Sequence, residues 1–200
     1  MKRTLAAFAV AICVATPTVT PSAAEGVPGL RGADHIGFTV PDLEQAVGFF
    51  RDVIGCRVFY PLGPFASPKN NWMKDSLNVH PRATIPKMRL VRCGSGANLE
   101  IFQYTAPDQR KTPPRNSDIG GHHIAFYTAD MTAAVAYLKS KGVKVLGAPT
   151  KMTGGPSKGE TWVYFMAPWG MQLELVSYPK GKAYETNYKG RLWDPRKPGM

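Results

Sequence analysis

The sequence predicts an α+β fold made of two βαβββ modules, and three observations carry that expectation. One stretch is written twice: His35-Ile36-Gly37-Phe38-Thr39-Val40-Pro41-Asp42 is echoed 88 positions later by His123-Ile124-Ala125-Phe126-Tyr127-Thr128-Ala129-Asp130. A second pair of echoes closes the units, Asn98-Leu99-Glu100-Ile101-Phe102-Gln103-Tyr104 against Gln172-Leu173-Glu174-Leu175-Val176-Ser177-Tyr178. Between the echoes, both halves run strand, helix, strand and hairpin, with glycine and proline at the joints.

In the first half, residues 35–40 alternate. Ile36, Phe38 and Val40 take one face, and His35, Gly37 and Thr39 the other. One face can pack on a helix, which turns the histidine face toward a cavity. Asp42 is a natural N-cap, with Gln45 three residues on. Leu43, Ala46, Val47, Phe50 and Ile54 then recur at helical spacing up to a stop at Gly55. Cys56 to Tyr60 reads as a strand. Residues 61–86 hold Pro61, Pro64, Pro68, Pro81 and Pro86, and read as a long insert, either a functional cover or a surface excursion. It carries Trp72, His80 and Arg82, candidates for substrate contact. Met88 to Arg92 and Ala97 to Tyr104 form a hairpin around Gly94-Ser95-Gly96.

A proline- and glycine-rich seam over residues 105–121 leads to the second half. Strand His123 to Thr128, an Asp130 cap and a helix with Met131, Ala134, Val135 and Leu138 on one face come first, then strand Val143 to Leu146. Residues 147–160 read as a glycine-rich loop, and Thr161 to Met166 with Met171 to Tyr178 as the last hairpin. The spacing between copies falls to 74 at the glutamates because the second half lacks the long insert. The expected organisation is a leader over residues 1–24, a linker over 25–33, one domain over 34–179 with modules 34–105 and 121–179, and a basic tail over 180–200. That tail either drapes over the protein or a partner subunit, or frays.

Lys2 and Arg3 precede an apolar run from Leu5 to Val14 and then Ser22-Ala23-Ala24, the pattern of an export signal with a cleavage site. The run is short of the roughly 20 residues a bilayer span needs. The expected location is periplasmic or secreted, with no membrane span after cleavage. The net charge is +11, or +9 without the leader, and is spread thinly over the chain. No basic stripe interleaves with aromatics, which argues against nucleic acid as a partner and leaves a small molecule. Cys56 opens the second strand and Cys93 ends the third, so antiparallel pairing of those strands would let them form a disulfide; two separate buried thiols are the alternative.

The repeats place two histidines and two glutamates, His35, Glu100, His123 and Glu174, at matched positions. If the halves fold alike and face each other, these four can meet around one divalent ion, leaving two octahedral positions for water or substrate. Such an ion polarises a carbonyl, and a displaced glutamate, Glu174 or Glu100, can act as base. His122 competes with His123, but adjacent strand residues face opposite ways and the repeat selects His123.

These residues resemble the vicinal oxygen chelate superfamily, which includes glyoxalase I, methylmalonyl-CoA epimerase, extradiol dioxygenases and fosfomycin- and bleomycin-resistance proteins; epimerases of this family typically carry glutamine where this chain has Glu100. The resemblance spans about residues 33–179. It implies a cup-shaped, incomplete barrel, glyoxalase-like, with one metal ion inside: nickel, zinc, manganese, cobalt or iron. The set His35, Glu100, His123 and Glu174 is similar to that of bacterial glyoxalase I. Extradiol dioxygenases use two histidines and one glutamate on non-haem iron, which would leave Glu100 idle. Thr39, Tyr104 and Ile119 stand where glyoxalase I holds glutathione, so glutathione is not the expected substrate. The implied activity is a metal-dependent lyase or isomerase step on a small oxygenated, chelating substrate, with a homodimer as a possible form. The alternatives are extradiol-type dioxygenation and ligand binding without turnover.

Overall fold

The computed structural model describes residues 26–199, so the expected leader lies outside the described residues. Residues from Ala33 onward form one compact unit. The segment before it contributes a turn closed by the Leu30 N–H on the Val27 carbonyl.

The first module runs β1 (His35–Thr39), α1 (Leu43–Phe49), β2 (Arg57–Leu62), β3 (Phe65–Ala66), α2 (Trp72–Leu77), β4 (Thr84–Arg92) and β5 (Asn98–Thr105). The second runs β6 (Ile124–Tyr127), α3 (Met131–Ser140), β7 (Val145–Lys151), β8 (Thr161–Met166) and β9 (Gln172–Ser177). Each module makes one open sheet, ordered β1-β5-β4-β2 in the first, where β3 also pairs β4, and β6-β9-β8-β7 in the second. In both sheets the first strand pairs in parallel with the last, and the other neighbours are antiparallel. The expected paired βαβββ architecture is therefore present, and neither sheet closes into a barrel.

Local chemistry explains the elements. The Asp42 carboxylate accepts from the backbone N–H groups of Glu44 and Gln45, and Asp130 accepts from that of Ala133; each occupies donors that a helix start leaves free. Helix α1 continues as a π-helical stretch over Phe50–Ile54 and ends at Gly55.

Most strand boundaries shift by one or two residues, and two strands run well beyond the sequence reading. Strand β4 starts at Thr84, four residues early, because Pro86 sits at an irregularity between Thr84 and Lys87 where its missing N–H costs no ladder bond. Strand β7 reaches Lys151 through what reads as a loop, since Gly147 and Pro149 lie within the register shift between Leu146 and Thr150.

The insert is ordered. Met73 of α2 is fully buried with Ala83, Ile85 and Met88, and Leu62, Phe102 and Tyr104 pack around them. The insert therefore covers one end of the β4–β5 face.

The main core decides where the faces point. It combines Phe38, Val40, Leu43, Phe50, Val91, Leu99 and Ile101 from the first module with Leu138, Val163, Phe165, Leu173 and Leu175 from the second. Phe49 and Phe50 both meet Trp169 of the β8–β9 turn. At about 1.5–3 kcal/mol for each large side chain buried, this shared core binds the two modules together. It uses the helices and the helix-covered faces of both sheets. The opposite faces, which carry the histidines and glutamates, are directed away from it.

Cys56 and Cys93 are joined in a disulfide, directly beyond the Arg57–Arg92 pair. It closes a separation of 37 residues across an edge strand. Replacing both cysteines with alanine is expected to lower stability by about 3–4 kcal/mol on the loop-entropy relation; urea titrations with matched m-values would measure it.

The tail docks on its own chain. The Ala183 N–H donates to the Lys158 carbonyl and the Tyr184 N–H to the Pro156 carbonyl. Gly159 approaches the Gly181 carbonyl so closely that a Cβ there would lie 2.6 Å from it. Trp193 packs on Gly96 of the first module's hairpin. Arg196 holds Asp194, Glu185 and the Tyr178 carbonyl together. Its hydrogen bonds hold the Asp194 carboxyl down to about 2. A depressed carboxyl contributes fully above its ordinary value and is lost as pH falls through the folded one, here between about 4 and 2. Arg196→Ala is therefore expected to abolish hydrogen-exchange protection of residues 183–188 at pH 7, whereas the wild-type tail loosens only on acidification through that window. Unchanged protection in the variant would remove Arg196 from this role.

Candidate active site in two halves

The first half-site lies on β1 and β5. Parallel register sets Gly37 opposite Glu100 and His35 opposite Asn98, so His35 and Glu100 meet on a diagonal of one face. His35 Nε2 stands 3.1 Å from Glu100 Oε2, and His35 Nδ1 donates to Asp34 Oδ2 at 2.8 Å. The Asp34 hydrogen bond, with Glu100 behind it, raises the His35 pKa. Gly37 leaves room for this pair, since a Cβ there would lie 3.6 Å from Glu100 Oε2 and 3.3 Å from the Phe102 ring.

The second half-site repeats the plan on β6 and β9. Ala125 is opposite Glu174, and His123, just ahead of the strand, places Nε2 at 2.9 Å from Glu174 Oε2. Asn116 Nδ2 lies 3.2 Å from His123 Nδ1. Tyr164, opposite Glu174 on β8, meets the His123 ring edge-on with centroids 5.1 Å apart. Glu174 is 8% exposed. Burial pushes its pKa up, Glu160 adds to that, and His123 and Lys182 oppose it. Lys182 comes from the docked tail, pairs with Glu160 at 3.3 Å and lies over the Tyr178 ring at 4.1 Å.

One expectation needs correction. His35, Glu100, His123 and Glu174 do not converge within one chain, and no group of three or more His, Cys, Asp or Glu among the described residues is placed to hold a metal ion. The halves fold alike but do not face each other with these surfaces, because their helix-covered faces are used up in the common core.

The remaining candidates take varied places. His122 donates from Nδ1 to the Gly120 carbonyl, away from Glu174. His80 lines a cleft of about 710 Å³ with Thr39, Lys74, Tyr104 and Arg110, at the end of the His35/Glu100 face. Its Nδ1 accepts from the Arg82 N–H. The Arg82 guanidinium is spent on the Ser67, Pro68 and Asn70 carbonyls, so it ties the insert together. Trp72 opens α2 and is 47% exposed.

Four neighbours escaped the sequence reading: Asp34, Asn116, Glu160 and Lys182. Asp34 precedes His35 directly, yet its place in the second copy is taken by His122, so the repeat gives no hint. Asn116, Glu160 and Lys182 lie in connecting segments with no periodicity.

The donor set fits a divalent cation. Imidazole nitrogen and carboxylate oxygen are donors that such an ion takes, and each His–Glu pair stands within hydrogen-bonding distance. The Asp34 carboxylate on His35 Nδ1 is the outer support that metal-binding histidines use, whereas His123 Nδ1 meets the Asn116 amide nitrogen.

Comparison with known proteins bears on the family and the fold. The sequence is 48% identical over 171 residues to the 2-epi-5-epi-valiolone epimerase of an Actinomyces species, covering 85% of this chain and 92% of that protein. That relative is named for an isomerase-type activity. A glyoxalase family protein from Bacillus cereus superposes with a TM-score of 0.58 at 16% identity, covering 77% of this chain and 98% of that one. Another from Enterococcus faecalis gives 0.51 at 19% identity, covering 74% and 98%; these two likenesses concern the fold alone. Residues 34–165 match the model of the Glyoxalase/Bleomycin resistance protein/Dioxygenase superfamily. With that match and the paired βαβββ sheets, the chain belongs to the glyoxalase/bleomycin resistance protein/dioxygenase superfamily.

Proposed function

We propose that this protein is a metal-dependent epimerase acting beside the carbonyl of a small polyoxygenated ketone, with each active site assembled from two copies of the chain. The observation that carries this reading is the pair of equivalent His/Glu half-sites on the faces turned away from the shared core, since imidazole and carboxylate are donors that a divalent ion takes. The 48%-identical relative acts on a compound whose name ends as a ketone's does, which supports the substrate class.

A second copy supplies what one chain lacks. Strand β2 is a sheet edge with Val58, Phe59 and Tyr60 exposed, and Phe65 and Trp72 are exposed too. Exposed apolar side chains along a free edge are the kind of surface that another subunit covers.

When bound, a divalent ion would be held by His35, Glu100, His123 and Glu174 and would acidify the carbon next to a chelated carbonyl. Glu174, whose burial raises its proton affinity, takes the proton from that carbon. Glu100, on the facing half-site, would take up a solvent proton when displaced from the ion and return it to the opposite side of the carbon, inverting the centre, while Glu174 loses the abstracted proton to solvent. Tyr164 and Lys182 line the wall around Glu174 and offer donors to substrate hydroxyls. The cleft at His80 accommodates the rest of the substrate.

Incubation with a polyhydroxylated cyclic ketone in deuterium oxide tests this reading. Inversion should be accompanied by one solvent deuterium at the inverted carbon, lost on chelation and restored by a divalent ion. Inversion without exchange would overturn the proton-transfer route, and a chelator-resistant rate would overturn the metal. Turnover in the absence of dioxygen separates it from ring-cleaving chemistry. Export is part of the proposal, and the Cys56–Cys93 disulfide suits an oxidising compartment. N-terminal sequencing of protein from host cells should begin at Glu25.

A further inference from the structure

The bare face of the second sheet carries more than the His123/Glu174 pair. On β8, Val163 and Phe165 enter the core, so Trp162 and Tyr164 take the other face. The Met152 N–H donates to the Glu160 carbonyl and prolongs the β7–β8 ladder by one residue, which puts Glu160 on that face too. Continuing the β8–β9 register sets Glu160 opposite Tyr178, four residues along from the Tyr164–Glu174 pair.

The C-terminal tail reaches this spot. Gly181 is pressed against Gly159, and the Ala183 N–H donates to the Lys158 carbonyl; Lys182 is fixed between these two contacts. Its ammonium stands 3.3 Å from Glu160, over the Tyr178 ring at 4.1 Å and the Tyr184 ring at 4.8 Å. The Lys182 and Glu160 side chains keep 14% and 17% exposure, and both charges are close enough to act on Glu174, in opposite senses. Anchoring does not require this pair, because backbone bonds at Ala183 and Tyr184 and the Arg196 cluster already hold the tail. A partly buried ion pair costs desolvation, which a ligand-binding role explains.

The chemistry of the pair names its ligand. Their mutual contact takes one of the three ammonium donors and one acceptor position of the carboxylate, so a donor and an acceptor remain side by side. One hydroxyl accepts from Lys182 while its neighbour donates to Glu160. Although the whole chain carries +11, Glu160 balances Lys182 here, and no surplus cation waits for a phosphate or carboxylate. Trp162, Tyr164 and Tyr184, all half-buried, supply the aromatic walls common in small-molecule sites.

We propose that Glu160 and Lys182 form a subsite for two neighbouring hydroxyls of an uncharged polyol ring, with the C-terminal tail supplying half of it. About 13 Å of strand separates the subsite from Glu174, so one small substituted ring reaches from one to the other. The subsite rests on the epimerase reading only for the chemistry at Glu174; ligand binding stands without it.

The test uses the full chain, metal-free, and follows the Trp162 indole N–H resonance, assigned with Trp162→Phe, through titrations with myo-inositol, its monophosphate and cyclohexanol. In wild type, myo-inositol should bind at least about 10-fold more tightly than either of the others, the worth of a hydrogen bond to a charged group. Lys182→Met should weaken myo-inositol about 10–100-fold, while hydrogen exchange of residues 183–188 shows whether the tail stays docked. Glu160→Gln keeps the side-chain shape and unbalances Lys182, so it should reverse the ranking and favour the monophosphate. Wild type that prefers the monophosphate or cyclohexanol overturns the proposal, as does a Glu160→Gln protein with the wild-type ranking. A chain that shows the expected ranking and reversal but inverts no ketone keeps the subsite and removes the epimerase reading. An active epimerase without that ranking removes the subsite alone.

Discussion

Glu174→Gln should leave a folded protein whose turnover is lower by about 10³-fold, the scale of a lost general base. Glutamine keeps the shape of the side chain and its contact with His123, but it neither takes a proton nor binds a cation as a carboxylate does. Stability should move the other way. Burial raises the Glu174 pKa, so holding this carboxyl ionised opposes folding. For an acid whose folded pKa lies above the unfolded value, that penalty is absent at low pH and grows as pH rises from about 4. At pH 7 the glutamine variant should therefore melt no lower than wild type, while retaining less divalent metal. Kinetics, calorimetry and elemental analysis on one preparation would measure all three. Full turnover in the variant would end the assignment of Glu174 as base.

Complementation between inactive variants is the second large effect. If each site takes His35 and Glu100 from one copy and His123 and Glu174 from the other, His35→Ala and His123→Ala homodimers have no intact site. A heterodimer has one site with both defects and one with none. Unfolding and refolding an equal mixture should restore about a quarter of wild-type activity, since half the dimers are mixed and each has one good site of two. A mixture no more active than its parents would mean that the half-sites do not combine across chains.

The four residues of the candidate half-sites were named from the sequence. Duplication put His35 and His123, and Glu100 and Glu174, at matched places, and strand alternation put each pair on one face. The supporting groups were hidden because Asp34 has no counterpart in the second copy and Asn116 and Lys182 sit in segments whose path periodicity does not specify. The insert was misread in part because its prolines look like breaks, whereas Pro86 occupies an irregular point of β4 and Met73 anchors α2 in a buried cluster.

By itself, the sequence determined the two βαβββ modules, their caps, the facing positions of Cys56 and Cys93, and which four side chains belong together chemically. These follow from neighbours a few residues apart and from a repeat, both of which can be read without knowing how the chain packs. Only the tertiary structure decided that within one chain the four form two pairs rather than one quartet. Whether two sheets share a core through their helix-covered faces or their bare ones depends on long-range packing of Phe49, Phe50 and Trp169, and that packing turned the histidine faces outward.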